Sequence, residues 1–435
     1  MEYRIMSKKK KSLSIREIPC YLLVLSLFFP IRGSILGLGF YHVIGLAFII
    51  YLCSLKTLKT SIHPSYLWVY GLTLVGMDLY WFQPDRIWWY FSNLLPFFAA
   101  FLFIPHGIQT EDALNHFLDF IISVFAVYSV SCIIESVTYF NIFDFLTNTR
   151  ISEYTFTNEI RFGFVRNRGA LDISINNGMI LCMALSVCAY RLLQEKKRKH
   201  LIAYGLIMLA SFMSFSRSVW LQIMVSQLLI IMTIPSVKKI KVILGATGIL
   251  LLILLIGTVF NAGFAVGIAG IVDNMVASFL SIFIGKNDSE LIGIGHRFLL
   301  WPWVYETVKD NIIFGFGVGA PVAVKTTLGY TKVSIEVAWL ATLYYTGLIG
   351  LFGLITYQFG CMKHALRRIK KKLFGLHYKN INYYFLTATI AYFIVLFSCN
   401  FGEDMRFHYI FLALVMCCNR GHFGYDAFGL SRKED

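Results

Sequence analysis

The sequence predicts an all-α, polytopic membrane protein, and three observations carry that expectation. Of its 435 residues, 57% are hydrophobic and only 14% charged, with 39 Phe and 24 Tyr, a composition too apolar for a soluble chain of this size. Apolar stretches recur from end to end without a long polar segment, so residues 1–435 are expected to form a single integral membrane domain with no separate soluble enzyme domain. The basic residues behind the net charge of +15 gather in short runs between those stretches.

Stretches of spanning or near-spanning length begin near Ile18, Ile35, Ser65, Ile87, Phe117, Leu171, Leu201, Val219, Val242, Val337, Tyr384 and His408. They amount to about twelve spans, two of them short. Placing the amino terminus with Lys8 to Lys11 in the cytoplasm puts twice as many of the 39 Lys and Arg inside as outside, as the positive-inside rule requires. Both termini are then cytoplasmic. The runs "RLLQEKKRK", "KKIK" and Lys363 to Lys379 serve as topology signals and contacts for anionic head groups, which makes nucleic-acid binding an unnecessary reading. The first apolar run resembles a signal peptide but ends in "FFPIRGS" without a small-residue cleavage site, so it is expected to stay as a span. The nine cysteines lie in or beside spans and suggest neither a disulfide framework nor a metal site.

On this topology two long segments face outward, 141–170 and 262–336, the latter before the tenth span. The first is dense in Arg, Asn and Thr and reads as an ordered polar loop, with "EYTF" strand-like. The second opens on the apolar "AVGIAGIVDNMVASFLSIFIG", expected to be helical and interfacial or re-entrant. It continues through "HRFLLWPWVYETVKDN", a predicted helix with boundary aromatics, to the glycine turn "FGFGVGAP".

Arg217, in "SFMSFSRSVW", has no acid beside it in sequence, and an arginine in a lipid-facing helix costs roughly 2.5–3.5 kcal/mol, so it needs a partner or a route to water. The topology places it at the outer end of a span, on the side of Arg161, Arg166, Arg168 and Arg297. Guanidinium forks suit phosphate oxygens, and several at a bilayer surface suit a lipid-linked diphosphate. The plainer readings are a snorkelling cation, or pairing of the cluster with Glu153, Glu159 and Asp172. Arg297 and Trp301 are four apart and share a helical face, as a stacked pair or as an interfacial anchor. The glycines at 315, 317 and 319 allow close backbone approach to a ligand but lack the GK[ST] of a P-loop. Glu336 opens the span "EVAWLATLYYTGLIGLFG", either as a helix-dipole partner or as a general base. Packing or pairing suffices for Asp78, Glu135 and Asp172. The histidines lack metal-ligand spacing, and no G-x-S-x-G elbow occurs.

The ordered segments "RNRGALDISINN", "SFSRSVW", "HRFLLWPWVYETVKDNIIFGFGVG" and "EVAWLATLYYTGLIGLFG", within about Arg161 to Gly360, resemble the signature segments of the O-antigen polymerase and O-antigen ligase superfamily. The resemblance implies a GT-C type membrane glycosyltransferase acting on undecaprenyl-diphosphate-linked glycan, as donor and acceptor, at the outer face of the bacterial cytoplasmic membrane. It implies neither metal nor nucleotide-sugar cofactor. Arginines matching Arg217 and Arg297, with one at Arg166 or Arg168, would hold the diphosphate; Arg161, Trp301 and Asn176 are expected as further substrate contacts. Ligase-like members have a histidine where this chain has Glu336. A carboxylate base there makes polymerisation the expectation, with a ligase acting on lipid A-core or a lipid-linked oligosaccharide flippase or transporter as the alternatives. Implied partners are membrane lipids and, further, chain-length regulator and flippase proteins.

Overall fold

A computed structural model describes residues 14–29, 38–55, 65–84, 87–147, 160–161, 164–171, 173–234, 295–325, 331–332, 335, 337–370, 381–397, 399 and 405–419. The protein is mostly helical, with only four strands of two residues each among the described residues. Among the described residues three helices are long and apolar enough to cross a membrane: Glu111–Thr138, Ser174–Glu195 and Ala338–Lys363. At about 1.5 Å per residue each exceeds a hydrocarbon core of about 30 Å. Seven shorter apolar helical segments among the described residues accompany them.

In chain order the helices are α1 (Ile18–Leu25), α2 (Phe40–Ser54), α3 (Ser65–Tyr80), α4 (Ile87–Gly107), α5 (Glu111–Thr138), α6 (Ile142–Thr147), α7 (Ser174–Glu195), α8 (Arg198–Phe212), α9 (Arg217–Thr233), α10 (Gly295–Val308), α11 (Ala338–Lys370), α12 (Ile381–Val395) and α13 (Met405–Asn419). A helix begins at or near each apolar start that falls among the described residues. The start at Ile35 lies just outside them, with α2 described from Phe40, and the start near Val242 lies wholly outside. The strand-like "EYTF" and the apolar run from Ala265 also lie outside them. In the first long loop a short hairpin pairs β1 (Ile160–Arg161) with β2 (Phe164–Val165), and in the second β3 (Val324–Lys325) pairs with β4 (Thr331–Lys332).

The order of α5, α7, α8 and α9 follows from local signals. Thr110 caps α5 by accepting from the Ala113 amide at 3.2 Å, with Glu111 and Asp112 in the first turn, where negative charge is favourable. Tyr139, at φ 65°, turns the chain left-handed after α5, and Lys196, at φ 50°, does the same after α7. The turn through Lys196 and Lys197 is so short that α8 must fold back along α7, and the two pack together. Helix α7 is the most enclosed of the long helices, rich in small residues such as Gly178, Cys182, Ala184, Ser186 and Ala189. Small side chains let neighbouring backbones approach where lipid supplies no hydrophobic drive between helices. A Cβ at Gly178 would sit 2.5 Å from a methyl of Val219 and 2.7 Å from Ser214 Oγ, so the amino end of α7 lies directly on the start of α9.

Helices α5, α7 and α8 pack together, and α12 joins them against α7 and α9. Tyr383 at the start of α12 donates to the Leu229 carbonyl near the end of α9, so these two run antiparallel. The far end of α12 receives the start of α11: the Ala338 amide donates to the Leu396 and Cys399 carbonyls at 3.2 and 3.0 Å. The carboxyl end of α5 and the amino ends of α7, α9 and α11 therefore share one end of the bundle.

Helix α11 is broken at Gly347, at φ 63° and ψ −163°. The glycine turn fills the gap. The amides of Phe316 and Gly317 donate to the Tyr344 and Tyr345 carbonyls, both at 2.8 Å, and those of Leu348 and Ile349 donate to the Ile312 and Ile313 carbonyls at 2.8 and 3.3 Å. A Cβ at Gly315 would lie 2.6 Å from the Tyr344 carbonyl oxygen, and one at Gly317 would meet the Trp81 side chain at 2.7 Å. At Gly315 and Gly317 the close backbone approach allowed by the sequence is thus made to the protein's own helix and indole, because the broken turn left backbone groups that had to be paired.

Candidate functional site: a polar end of the helical bundle

The carboxyl end of α5 carries Glu135, 3% exposed. Its carboxylate accepts the Arg168 amide, at 3.2 Å to each oxygen, the Gly169 amide at 2.9 Å and Asn141 Nδ2 at 3.0 Å. Asn141 Nδ2 also donates to the Gly169 carbonyl at 2.8 Å, while its Oδ1 accepts the Phe143 amide and so starts α6. Gly169 sits at φ 56°, and a Cβ there would collide with the Tyr128 hydroxyl. That hydroxyl instead accepts the Ala170 amide at 2.9 Å and donates to Asn177 Oδ1 at 2.6 Å. Asn177 passes the network on to Asn167 Oδ1 at 2.8 Å, and Asn167 Nδ2 donates to the Ala210 carbonyl at 2.9 Å. Buried polar groups in an apolar bundle are costly unless bonded, and these are bonded to one another.

The result is a fixed turn, Arg166–Gly169, pressed onto the end of α8. Arg166, 8% exposed, donates Nε to the Ser214 carbonyl at 3.0 Å. Ser214 lies three residues before Arg217, in a linker where Phe215 takes φ 46°. Phe215 stacks on Phe164 of β2 with 6.2 Å between ring centroids, and Trp220 stacks on Phe212 at 4.8 Å while donating to the Phe212 carbonyl. Ser216 and Ser218 are buried, whereas Arg217 between them is exposed, at the first position of α9. A cation at a helix amino terminus opposes the macrodipole, at roughly 0.3–1 kcal/mol, and an anion bound there would reverse the sign.

Arg168, two residues from Arg166, has a different fate: its Nη2 is ion-paired with Asp144 Oδ2 at 2.6 Å. Asn176 is buried at 7% exposure beside Asn177. Trp301 lies on α10 and is 42% exposed, and α10 packs against α11. Arg297 belongs to α10 and Arg161 to β1, but both side chains lie outside the described residues. Glu336, Glu153, Glu159 and Asp172 also lie outside them; Ile335 and Val337 on either side of Glu336 are buried. Among the described residues no group of His, Cys, Asp and Glu has the arrangement of a metal site.

Tyr128, Asn141, Asp144, Asn167 and Asn177 were not legible as site-building residues. The adjacent pair in "SINN" was a signal of a kind, since two amides in succession inside an apolar helix call for partners.

The opposite end of the same helices is built from charge pairs. Arg191 donates Nε to Asp119 Oδ1 and Nη1 to Glu195 Oε1, both at 3.0 Å, and Nη2 to the Asn115 carbonyl at 2.9 Å. Lys197 meets Glu195 at 2.8 Å, and His200 lies 3.7 Å from Asp119 and from Glu195.

No family model matches this chain, and no curated protein matches it.

Proposed function

We propose that this chain is a membrane glycosyltransferase that polymerises undecaprenyl-diphosphate-linked oligosaccharide repeat units, with inversion, at the outer face of the bacterial cytoplasmic membrane. One observation carries the reading: Arg166 and Arg217, from segments about fifty residues apart, converge on the Ser214–Arg217 linker at one end of the bundle, with Arg217 exposed there. Both arginines also interact with other residues of the chain, so the reading rests on convergence and exposure. Under it the chain has about twelve spans, cytoplasmic termini and the polar end facing outward.

In the proposed reaction the donor is the growing glycan on its lipid diphosphate and the acceptor is a single lipid-linked repeat unit. The acceptor hydroxyl oxygen attacks the anomeric carbon while Glu336 takes its proton. The bond from that carbon to the diphosphate breaks, and its electron pair leaves on the diphosphate. Arg166, Arg217 and Arg297 stabilise that charge. Arg166 is preferred to Arg168 as the third arginine because its Nε is bonded to the Ser214 carbonyl, which brings it to the Arg217 linker. Attack from the face opposite the leaving group inverts the anomeric carbon.

The break at Gly347 favours a transporter as the second reading, since discontinuous helices line many transport sites. Its backbone groups at Tyr344, Tyr345, Leu348 and Ile349 are bonded to residues 312–317, which supports polymerisation over transport. The test is the length of lipid-linked glycan in cells carrying Glu336→Gln, Arg217→Lys or Arg297→Lys, with membrane insertion verified. The ladder is expected to shorten towards one repeat unit. Normal polymer from all three would sink the proposal, and transfer to purified lipid A-core but not to a lipid-linked repeat would identify a ligase.

A further inference from the structure

Glu135 has no step in the proposed reaction, yet it is a carboxylate almost fully buried in the last turn of a membrane-length helix, an expensive place for a charge. All of its hydrogen bonds described above go to the Arg166–Gly169 turn or to Asn141, which itself holds the Gly169 carbonyl. With Gly169 left-handed, the amides of Arg168 and Gly169 converge on one point, the geometry of an anion-binding nest, and the protein fills it with its own carboxylate. The next amide, Ala170, is taken by Tyr128. The turn therefore cannot roll about its long axis without breaking several bonds to buried donors, and Arg166 is the residue at its leading edge, tied to Ser214.

We infer that Glu135 is the positioning residue of the anion site: by filling the nest it holds the Arg166–Gly169 turn in the register that sets Arg166 beside the Arg217 linker. The inference rests on the reading above that Arg166 and Arg217 bind a lipid diphosphate. It adds that the affinity of those arginines is set from α5, through a group that touches no substrate.

Glutamine at 135 keeps the volume but replaces one acceptor oxygen with an N–H donor: in place of Oε2 it faces both turn amides, and in place of Oε1 it faces the Arg168 amide and Asn141 Nδ2, so in either orientation bonds that hold the turn are lost. The experiment measures binding of undecaprenyl diphosphate to the purified full-length protein in nanodiscs, with undecaprenol as the control lacking phosphate. The variants are Glu135→Gln, Arg166→Gln, Arg217→Gln and the double variant Glu135→Gln/Arg166→Gln. Glu135→Gln is expected to weaken binding about tenfold while leaving undecaprenol partitioning unchanged, and to add less than about twofold once Arg166 is Gln, because it acts through that arginine. Should Glu135→Gln not be recovered as a folded, monodisperse protein, Asn141→Ala, which frees the same turn, takes its place in the cycle under the same criteria.

If Arg166→Gln and Arg217→Gln both bind undecaprenyl diphosphate like the parent protein, the diphosphate reading falls and this inference with it. If they weaken binding but the nest variant does not, or if the nest variant adds its full loss on top of Arg166→Gln, the positioning role is overturned and the diphosphate reading stands.

Discussion

The two ends of the α5–α7–α8 unit solve the problem of a buried arginine differently. At one end Arg191 faces Asp119 and Glu195 directly, so opposite charges meet and the network closes on itself. At the other, the buried carboxylate of Glu135 is turned to backbone amides, and the buried Arg166 is given a carbonyl three residues before an exposed Arg217. Here the acid serves shape: it holds the turn that carries Arg166 at the end where an anionic lipid is proposed to bind.

The sharpest way to break that contrast is Gly169→Ala. The added methyl collides with the Tyr128 hydroxyl at a left-handed position, which is expected to cost roughly 3 kcal/mol in detergent unfolding and to collapse the glycan ladder. A normal ladder would show that the turn's conformation is irrelevant to activity. Next, Arg191→Met leaves Asp119 and Glu195 without their guanidinium, for a loss of roughly 2 kcal/mol, moderated because both acids are partly exposed and Lys197 and Lys199 stand near. The ladder should survive wherever the protein is recovered. Loss of polymer at full stability would mean that this end also serves the reaction. Arg168→Gln should have the smallest effect, about 1 kcal/mol or less from a partly exposed ion pair, with polymer length kept. A collapse there matching that of Arg166→Gln would shift the diphosphate role to Arg168.

Much of the helical layout was legible in advance because hydropathy is a local sum: each stretch of α3, α4, α7, α9 and α11 announces itself within its own window. The grouping of Arg166, Arg168 and Arg217 at one end was legible too, since it follows from counting crossings. The difference between Arg166 and Arg168 was not. They are two residues apart in the same polar string, and their partners, Ser214 and Asp144, lie 48 and 24 residues away. The glycine turn was legible as a place of close approach, but not as a plug for a break in a helix that begins about twenty residues later. Glu135 was visible as a buried-looking acid whose pairing would suffice, and most of the groups it pairs with are backbone amides that no side-chain pattern reveals.

By itself the sequence determined that this is a helical membrane protein, roughly where its helices start, and that Arg166, Arg168 and Arg217 come to one end. The physical reason is that the membrane acts on each segment as a solvent, so composition within a segment is enough. Tertiary structure alone decided which arginine is bonded to a carbonyl and which to a carboxylate, what the glycines approach, and that Glu135 holds a turn, because each depends on partners brought together from distant segments in a medium where every buried polar group must find one.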